Sequence, residues 1–418
     1  MSSENPNFLN ELLETEVRAV RLNRLRRTLA ASTITFTCFS AGFMALSSEN
    51  DSNDSTIDVA IVPFEMDVED ASELGETIES SFNDVANGAL VIDVTIVEPS
   101  AATIGRYQEI NKDSCIDKND LLNYGSYIAS TGMSELNEYN KVLALNADPA
   151  CQDTVGGVAQ LQGRYGEVFN AASSWDIIVN NGGATVQEKS DNGNATTTTY
   201  LHSPVGTGVH EMLHLFGLGH NGILTPPKDR AEGEVYSMRI YSDTPRDVTI
   251  DVREFVEKQT YDEYGSVEVM GKGILDLTEG LTVLERHVLD TIYEPRVGSL
   301  AIEAHSLSDK PLVLSGAEPM EIVITHRLKA PIELQNKEET KMMTSLIFVP
   351  KETGEHPHTI QGLTVYLLSD DNNSAEIGEL TNLGESETTY TLQLDTETIV
   401  VHLDYVNART TLALQAKN

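Results

Sequence analysis

Residues 203–222, SPVGTGVHEMLHLFGLGHNG, hold the densest chemical pattern in the chain. Ser203 followed by Pro204 is a helix start, because a hydroxyl caps free backbone N–H groups and proline suits the first turn. On the helix that follows, His210 and His214 are one turn apart and project from one face. That spacing lets two imidazole nitrogens reach one ion at about 2.0–2.1 Å each. Gly217 is placed to end the helix, since a left-handed residue there costs glycine little. The turn then brings His220 back as a third ligand. Three neutral histidines leave a fourth tetrahedral position open to water, which is how catalytic rather than structural zinc is held. Glu211 lies beside the first ligand, placed to take a proton from that water.

The pattern His-Glu-x-x-His-x-x-Gly-x-x-His arises by chance in a chain this long on the order of once in 10,000 sequences or less. It resembles the zinc-binding signature of the metzincin metallopeptidases, the clan of astacins, serralysins, matrixins and adamalysins. The resemblance implies one catalytic Zn2+, with His210, His214 and His220 as ligands and Glu211 as general base. It also implies a methionine in a tight turn beneath the metal. Met270, in Tyr264–Gly271, is the candidate for that turn; Met238 is the rival and lacks a flanking glycine. The pair Met270-Gly271 resembles the gametolysin-like members. Gly156–Leu161 reads either as a glycine turn or as the edge strand above the cleft. In the clan such a strand pairs with extended substrate, which would make Gly157, Val158 and Ala159 substrate-binding. Two departures leave the subfamily open: Lys272 stands where some metzincins carry a tyrosine, and Asn221 follows the third histidine.

Outward from this helix the pattern is α/β. Ile57–Val62 and Leu90–Val97 read as buried strands, as do Lys141–Leu145 and Trp175–Val179. Glu69–Ala86 between the first two has apolar residues at helical spacing. Strand–helix–strand order predicts a mostly parallel twisted sheet over residues 57–297, carrying the zinc-site helix. Thr282 to Glu285 reads as a capping box opening a last helix, with Leu284, Val288 and Ile292 on one face. From about residue 298 the chain alternates in short runs, such as Glu321–His326, Ser345–Val349 and Thr398–Leu403, which predict an all-β sandwich-like domain over 298–418. His287 reads as a packing or surface residue, and His356 and His358 as loop residues around Pro357.

The chain has 418 residues, with 28 Lys+Arg against 65 Asp+Glu. A formal charge of -37 excludes nucleic acid as a partner, because phosphates need a basic face. Residues 1–47 contain five arginines and an uncharged span, Thr28–Ser47. They read as a signal peptide or as an N-terminal membrane anchor giving single-pass association through residues 28–47; a buried amphipathic helix is the third reading. Residues 48–56 are a polar linker, and either export reading puts the rest outside the cell. Cys115 and Cys151 are then expected to pair as a disulfide, closing a loop of about 36 residues worth roughly 3–4 kcal/mol. Asp113, Asp117, Asn119 and Asp120 lack the spacing of a Ca2+ loop and read as a solvated acidic segment. The expectation is an extracellular or cell-surface zinc endopeptidase acting on protein or peptide. The alternative is a cell-surface adhesion or binding protein with an inert or narrowly specific peptidase-like domain.

Overall fold

In the computed structural model the apolar run after the polar linker is strand β1 (Thr56–Phe64). Helix α1 (Val68–Ala86) returns the chain to β2 (Val91–Ile96), and helix α2 (Ala101–Ile110) precedes β3 (Lys141–Asn146). Strands β4 (Gly157–Ala159) and β5 (Tyr165–Phe169) complete a five-stranded sheet of order β2-β1-β3-β5-β4. β1 runs parallel to β2 and β3, β3 runs parallel to β5, and only edge strand β4 is antiparallel. Both faces are covered at the sheet's centre, so β1 from Val59 and β3 are continuously apolar, whereas edge strand β2 exposes Asp93 and Thr95. Val59, Ile61, Leu143 and Leu145 face one core, which includes Ile78 and Phe82 of α1. Ala60, Val62, Phe64 and Val142 face the other, where Phe64 stacks on Tyr107 with ring centroids 4.5 Å apart.

The structure describes residues 56–110, 133–147, 157–169, 171, 175–180, 183–188, 196–198, 204–225, 246–262, 269–271, 280–293, 302–315, 321–335, 340–353, 356–381, 387–406 and 409–417. All described residues belong to one compact unit, Asp54–Asn418. The signal or anchor span, Cys115, Cys151, Asp113, Asp117, Asn119, Asp120, Met238, Tyr264 and Lys272 lie outside the described residues. Among the described residues, no helix is long and apolar enough to cross a membrane.

One strand is not where its sequence suggests. The run from Trp175 forms β6 (Trp175–Asn180), which pairs antiparallel with β7 (Gly183–Glu188); β8 (Thr196–Thr198) adds to β7 in a separate three-stranded sheet. The place beside β3 belongs to β5 instead. Glu167 interrupts the apolar pattern of β5, yet it is fully buried, because its Oε1 accepts a 2.9 Å hydrogen bond from Asn146 Nδ2 on β3.

Helix α3 (Pro204–Leu215) packs beside α1 and against β5 and β4 of the sheet, with Val209, Met212, Leu213 and Leu215 in the first core. A Cβ at Gly208 would lie 2.5 Å from Ile78 Cδ1, so glycine lets α3 approach α1 this closely. After α3 come β9 (Asn221–Thr225), β10 (Arg246–Asp251), the short helix α4 (Val252–Glu257), β11 (Thr260–Asp262) and α5 (Val283–Ile292). The capping box of α5 forms: Glu285 N–H donates to Thr282 Oγ1 at 3.2 Å and Thr282 N–H to Glu285 Oε2 at 2.7 Å.

The remaining strands are β12 (Glu303–Ser306), β13 (Leu312–Ser315), β14 (Ile322–Gln335), β15 (Thr340–Thr353), β16 (His356–Ser369), β17 (Ser374–Thr381), β18 (Thr388–Leu394), β19 (Glu397–Val406) and β20 (Arg409–Lys417). They build two sheets, of order β11-β9-β17-β16-β15-β14-β12 and β10-β18-β19-β20-β13. Residues of both, among them Phe348, Val365, Tyr390 and Leu414, share one core. Sheet pairing crosses the boundary expected near residue 298: β9 is parallel to β17, and β10 is parallel to β18. Val323 and Ile347 from the late strands also enter the core around α3. His356 belongs to β16 rather than a loop, and Pro357 falls where the β15–β16 register shifts, so its missing N–H interrupts no regular ladder.

Candidate metal centre

The helix carrying the first two histidines starts at Pro204 and ends as its sequence dictates; Ser203 lies outside the described residues. Leu218 N–H donates to Leu213 O at 3.1 Å and Gly217 N–H to His214 O at 2.9 Å, with Gly217 at φ 105°. These are the two hydrogen bonds of a Schellman stop. Other groups also satisfy the end of α3. Gln162 N–H donates to His214 O at 3.0 Å, and Lys141 Nζ donates to Leu215 O and to Gly163 O, each at 2.7 Å. A cation at a helix C-terminus is favoured by the peptide dipoles, although burial lowers the Lys141 amine to about 8.

Past this stop the chain turns back, and His220 meets the two helical histidines. Potential ligand atoms of His210, His214 and His220 all lie within 4.8 Å of one another, a group able to hold a metal ion. His214 Nε2 and His220 Nε2 are 3.0 Å apart. Two imidazoles bound tetrahedrally to one ion at about 2.0–2.1 Å would sit about 3.3 Å apart, so the spacing fits. The protonation pattern fits as well. His210 Nδ1 is 2.8 Å from Val269 O and His214 Nδ1 is 2.7 Å from Leu218 O. A carbonyl can only accept, so both Nδ1 atoms carry the hydrogen, and neutral rings present Nε2 lone pairs. Burial, then the neighbouring His210 and His220, hold His214 well below the usual histidine range, and Lys341 on β15 adds to this. His214 is therefore neutral.

Glu211 is 6% exposed, and burial pushes its carboxyl up to about 8. Edge strand β4 lies directly on it: a Cβ at Gly157 would be 2.5 Å from Glu211 Cγ and 2.7 Å from its Oε1. Of the two readings of Gly156–Leu161, the strand is the one formed, at Gly157–Ala159. Met270 is fully buried beneath α3, and the segment holding it touches the site twice through its backbone. Val269 O accepts from His210, and Met270 O accepts from Asn221 N–H at 3.0 Å. His287 on α5 is partly buried and stands apart from the three-histidine group.

Several residues around His220 carried no functional signal in the sequence. His220 N–H donates to Asn373 Oδ1 at 3.0 Å, and Ser374 N–H donates to His220 O at 2.9 Å. Asn372 Nδ2 donates to Gly217 O at 3.0 Å. Asn221 Nδ2 donates to Glu285 Oε1 at 2.9 Å, while its Oδ1 accepts from Ser374 Oγ. Asn221 thus ties together the methionine turn, the start of α5 and β17. Its partner Ser374 is 153 positions away, so no local spacing could have exposed the link.

No protein-family model matches the chain. No curated protein matches it. Among solved structures, archaemetzincin from Methanopyrus kandleri is a weak structural neighbour: 20% identity, a TM-score of 0.26, and an alignment covering 41% of this chain and 79% of that one.

Proposed function

We propose that the chain is an exported zinc-dependent endopeptidase of metzincin type. The observation that carries this reading is the convergence of His210, His214 and His220, two of them with Nδ1 fixed by carbonyls, with Glu211 next to His210 in the chain. The three imidazoles would hold one Zn2+. When bound, the ion supplies a Lewis acid that polarises a scissile carbonyl and acidifies water.

The chain's own groups do the rest. Glu211 takes a proton on its carboxylate and delivers it to the departing amine, so no covalent acyl intermediate is needed. Burial raises this carboxyl's hold on a proton, and a dication among the imidazoles would act in the opposite sense. Strand β4 is the sheet's edge and rests on Glu211. Its outer side, which pairs with no strand among the described residues, suits an extended peptide added as a further strand, with Gly157, Val158 and Ala159 as the binding segment. Met270 packs as the floor of the site, with Val269 O holding His210 and Met270 O holding Asn221. Export is supported by the arginine-rich start followed by the uncharged span Thr28–Ser47.

The test is cleavage of an unfolded protein mixture by the purified, zinc-loaded protein, with and without chelator, beside Glu211→Ala. The expected result is chelator-sensitive cleavage by the parent and none by a variant of equal zinc content. Zinc-loaded parent that cuts nothing would overturn the endopeptidase reading.

A further inference from the structure

The third histidine differs from the other two in what holds it. His210 and His214 are on a helix, whereas His220 lies beyond the Schellman stop, after Gly217-Leu218-Gly219 and outside regular secondary structure. Such a segment fixes a side chain poorly unless something outside it pairs its backbone. That partner is the tight turn between β16 and β17, residues 370–373. Asn373 Oδ1 accepts from His220 N–H at 3.0 Å, Ser374 N–H donates to His220 O at 2.9 Å, and Asn372 Nδ2 donates to Gly217 O at 3.0 Å. The turn lies so close that a Cβ at Gly219 would be 2.5 Å from Asn373 N.

The turn is itself braced. Asn373 N–H donates to Ser369 Oγ at 2.9 Å, Ser369 N–H donates to Asn373 O at 2.9 Å, and Asn372 holds a left-handed φ of 60°. Asp370 is held from the neighbouring strands by Arg327 Nη1 at 2.7 Å and Thr344 Oγ1 at 2.9 Å. Asn373 is 4% exposed, so water does not compete for its amide oxygen.

We propose that the β16–β17 turn is a working part of the metal site and that Asn373 is the positioning residue for His220. This rests on the three-histidine zinc reading. The C-terminal sheets are then a component of the metal centre, and not a detachable substrate-binding module. A polar group that orients a ligand is worth about 10–100-fold in metal affinity.

The experiment is zinc affinity of the full chain by chelator competition, for the parent, His210→Ala, Asn373→Leu and Asn373→Asp, with the visible spectrum of each Co2+ form. Asn373→Leu removes the acceptor, and Asn373→Asp keeps an oxygen there. Expected are a loss of about 10–100-fold in zinc affinity for Asn373→Leu, recovery towards the parent for Asn373→Asp, and weaker Co2+ absorption in the leucine variant as water replaces the third nitrogen. Asn373→Leu that folds and binds zinc as the parent does overturns the proposal. If that variant does not fold, Asn372→Gly takes its place, since it keeps the left-handed turn and loses the bond to Gly217; unchanged zinc affinity there overturns the proposal equally. Parent that binds zinc no tighter than His210→Ala refutes the three-histidine reading first, and this proposal with it.

Discussion

Replacing Gly157 by alanine sets a methyl group against the groove between β4 and α3. The added carbon would lie 2.5 Å from Glu211 Cγ, 2.7 Å from Glu211 Oε1 and 2.8 Å from Thr207 Cγ2. Ordinary carbon contacts are about 3.5–4.0 Å, so the Glu211 and Thr207 side chains, or the strand itself, must shift by roughly 1 Å. Overpacking of this kind costs about 1–3 kcal/mol, and the stiffer unfolded chain returns about 0.4–1 kcal/mol, leaving a net loss of up to about 2.6 kcal/mol. Two of the three close atoms belong to Glu211. In a Glu211→Ala background the same substitution should therefore cost less, with a coupling of about 1 kcal/mol. Urea unfolding of the parent, both single variants and the double variant measures this. The three histidines are untouched, so Gly157→Ala should keep its zinc while cleavage falls by up to about 100-fold through displacement of Glu211. Losses that add within about 0.3–0.5 kcal/mol, or full activity in Gly157→Ala, would refute the packing of β4 on Glu211.

Two further outcomes follow from the end of α3. Gly217→Ala places a Cβ at φ 105°, 2.7 Å from both Gln162 Cγ and Ile292 Cδ1, and should cost about 1–3 kcal/mol in urea unfolding; a neutral result contradicts the Schellman stop. Lys141 carries a pH signature, because burial lowers its amine from 10.5 to about 8. Below about pH 8 folded and unfolded chains both hold the proton, and the cost of burying the cation is fully present. Between about pH 8 and 10.5 the folded chain has released it while the unfolded chain keeps it, so stability rises with pH by up to about 3 kcal/mol. Lys141→Met should lack that rise, and a parent curve no steeper than the variant's over this range contradicts the assignment.

What was legible in the sequence is what short-range physics determines. The i, i+4 histidines, the helix-ending Gly217 and the capping box at Thr282 each depend on residues within one or two turns. All three form as read. Continuous apolar runs likewise mark β1 and β3, because both faces of the sheet are covered there. Strand β5 was hidden by Glu167, whose burial depends on Asn146 in another strand. Trp175–Val179 has the right composition for the parallel sheet but pairs with β7, a choice that composition cannot express. Least legible was the support of His220. Asn372, Asn373 and Ser374 carry no motif, and their hydrogen bonds to the segment around His220 arise where β17 pairs with β9 across more than 150 positions.

The most direct test of the three-histidine centre is X-ray absorption at the zinc edge of the purified, zinc-loaded protein. Expected are three imidazole nitrogens and one further light atom at about 2.0–2.1 Å, with one imidazole lost in His220→Ala. Sulfur at about 2.3 Å, or fewer than three imidazoles in the parent, would contradict it.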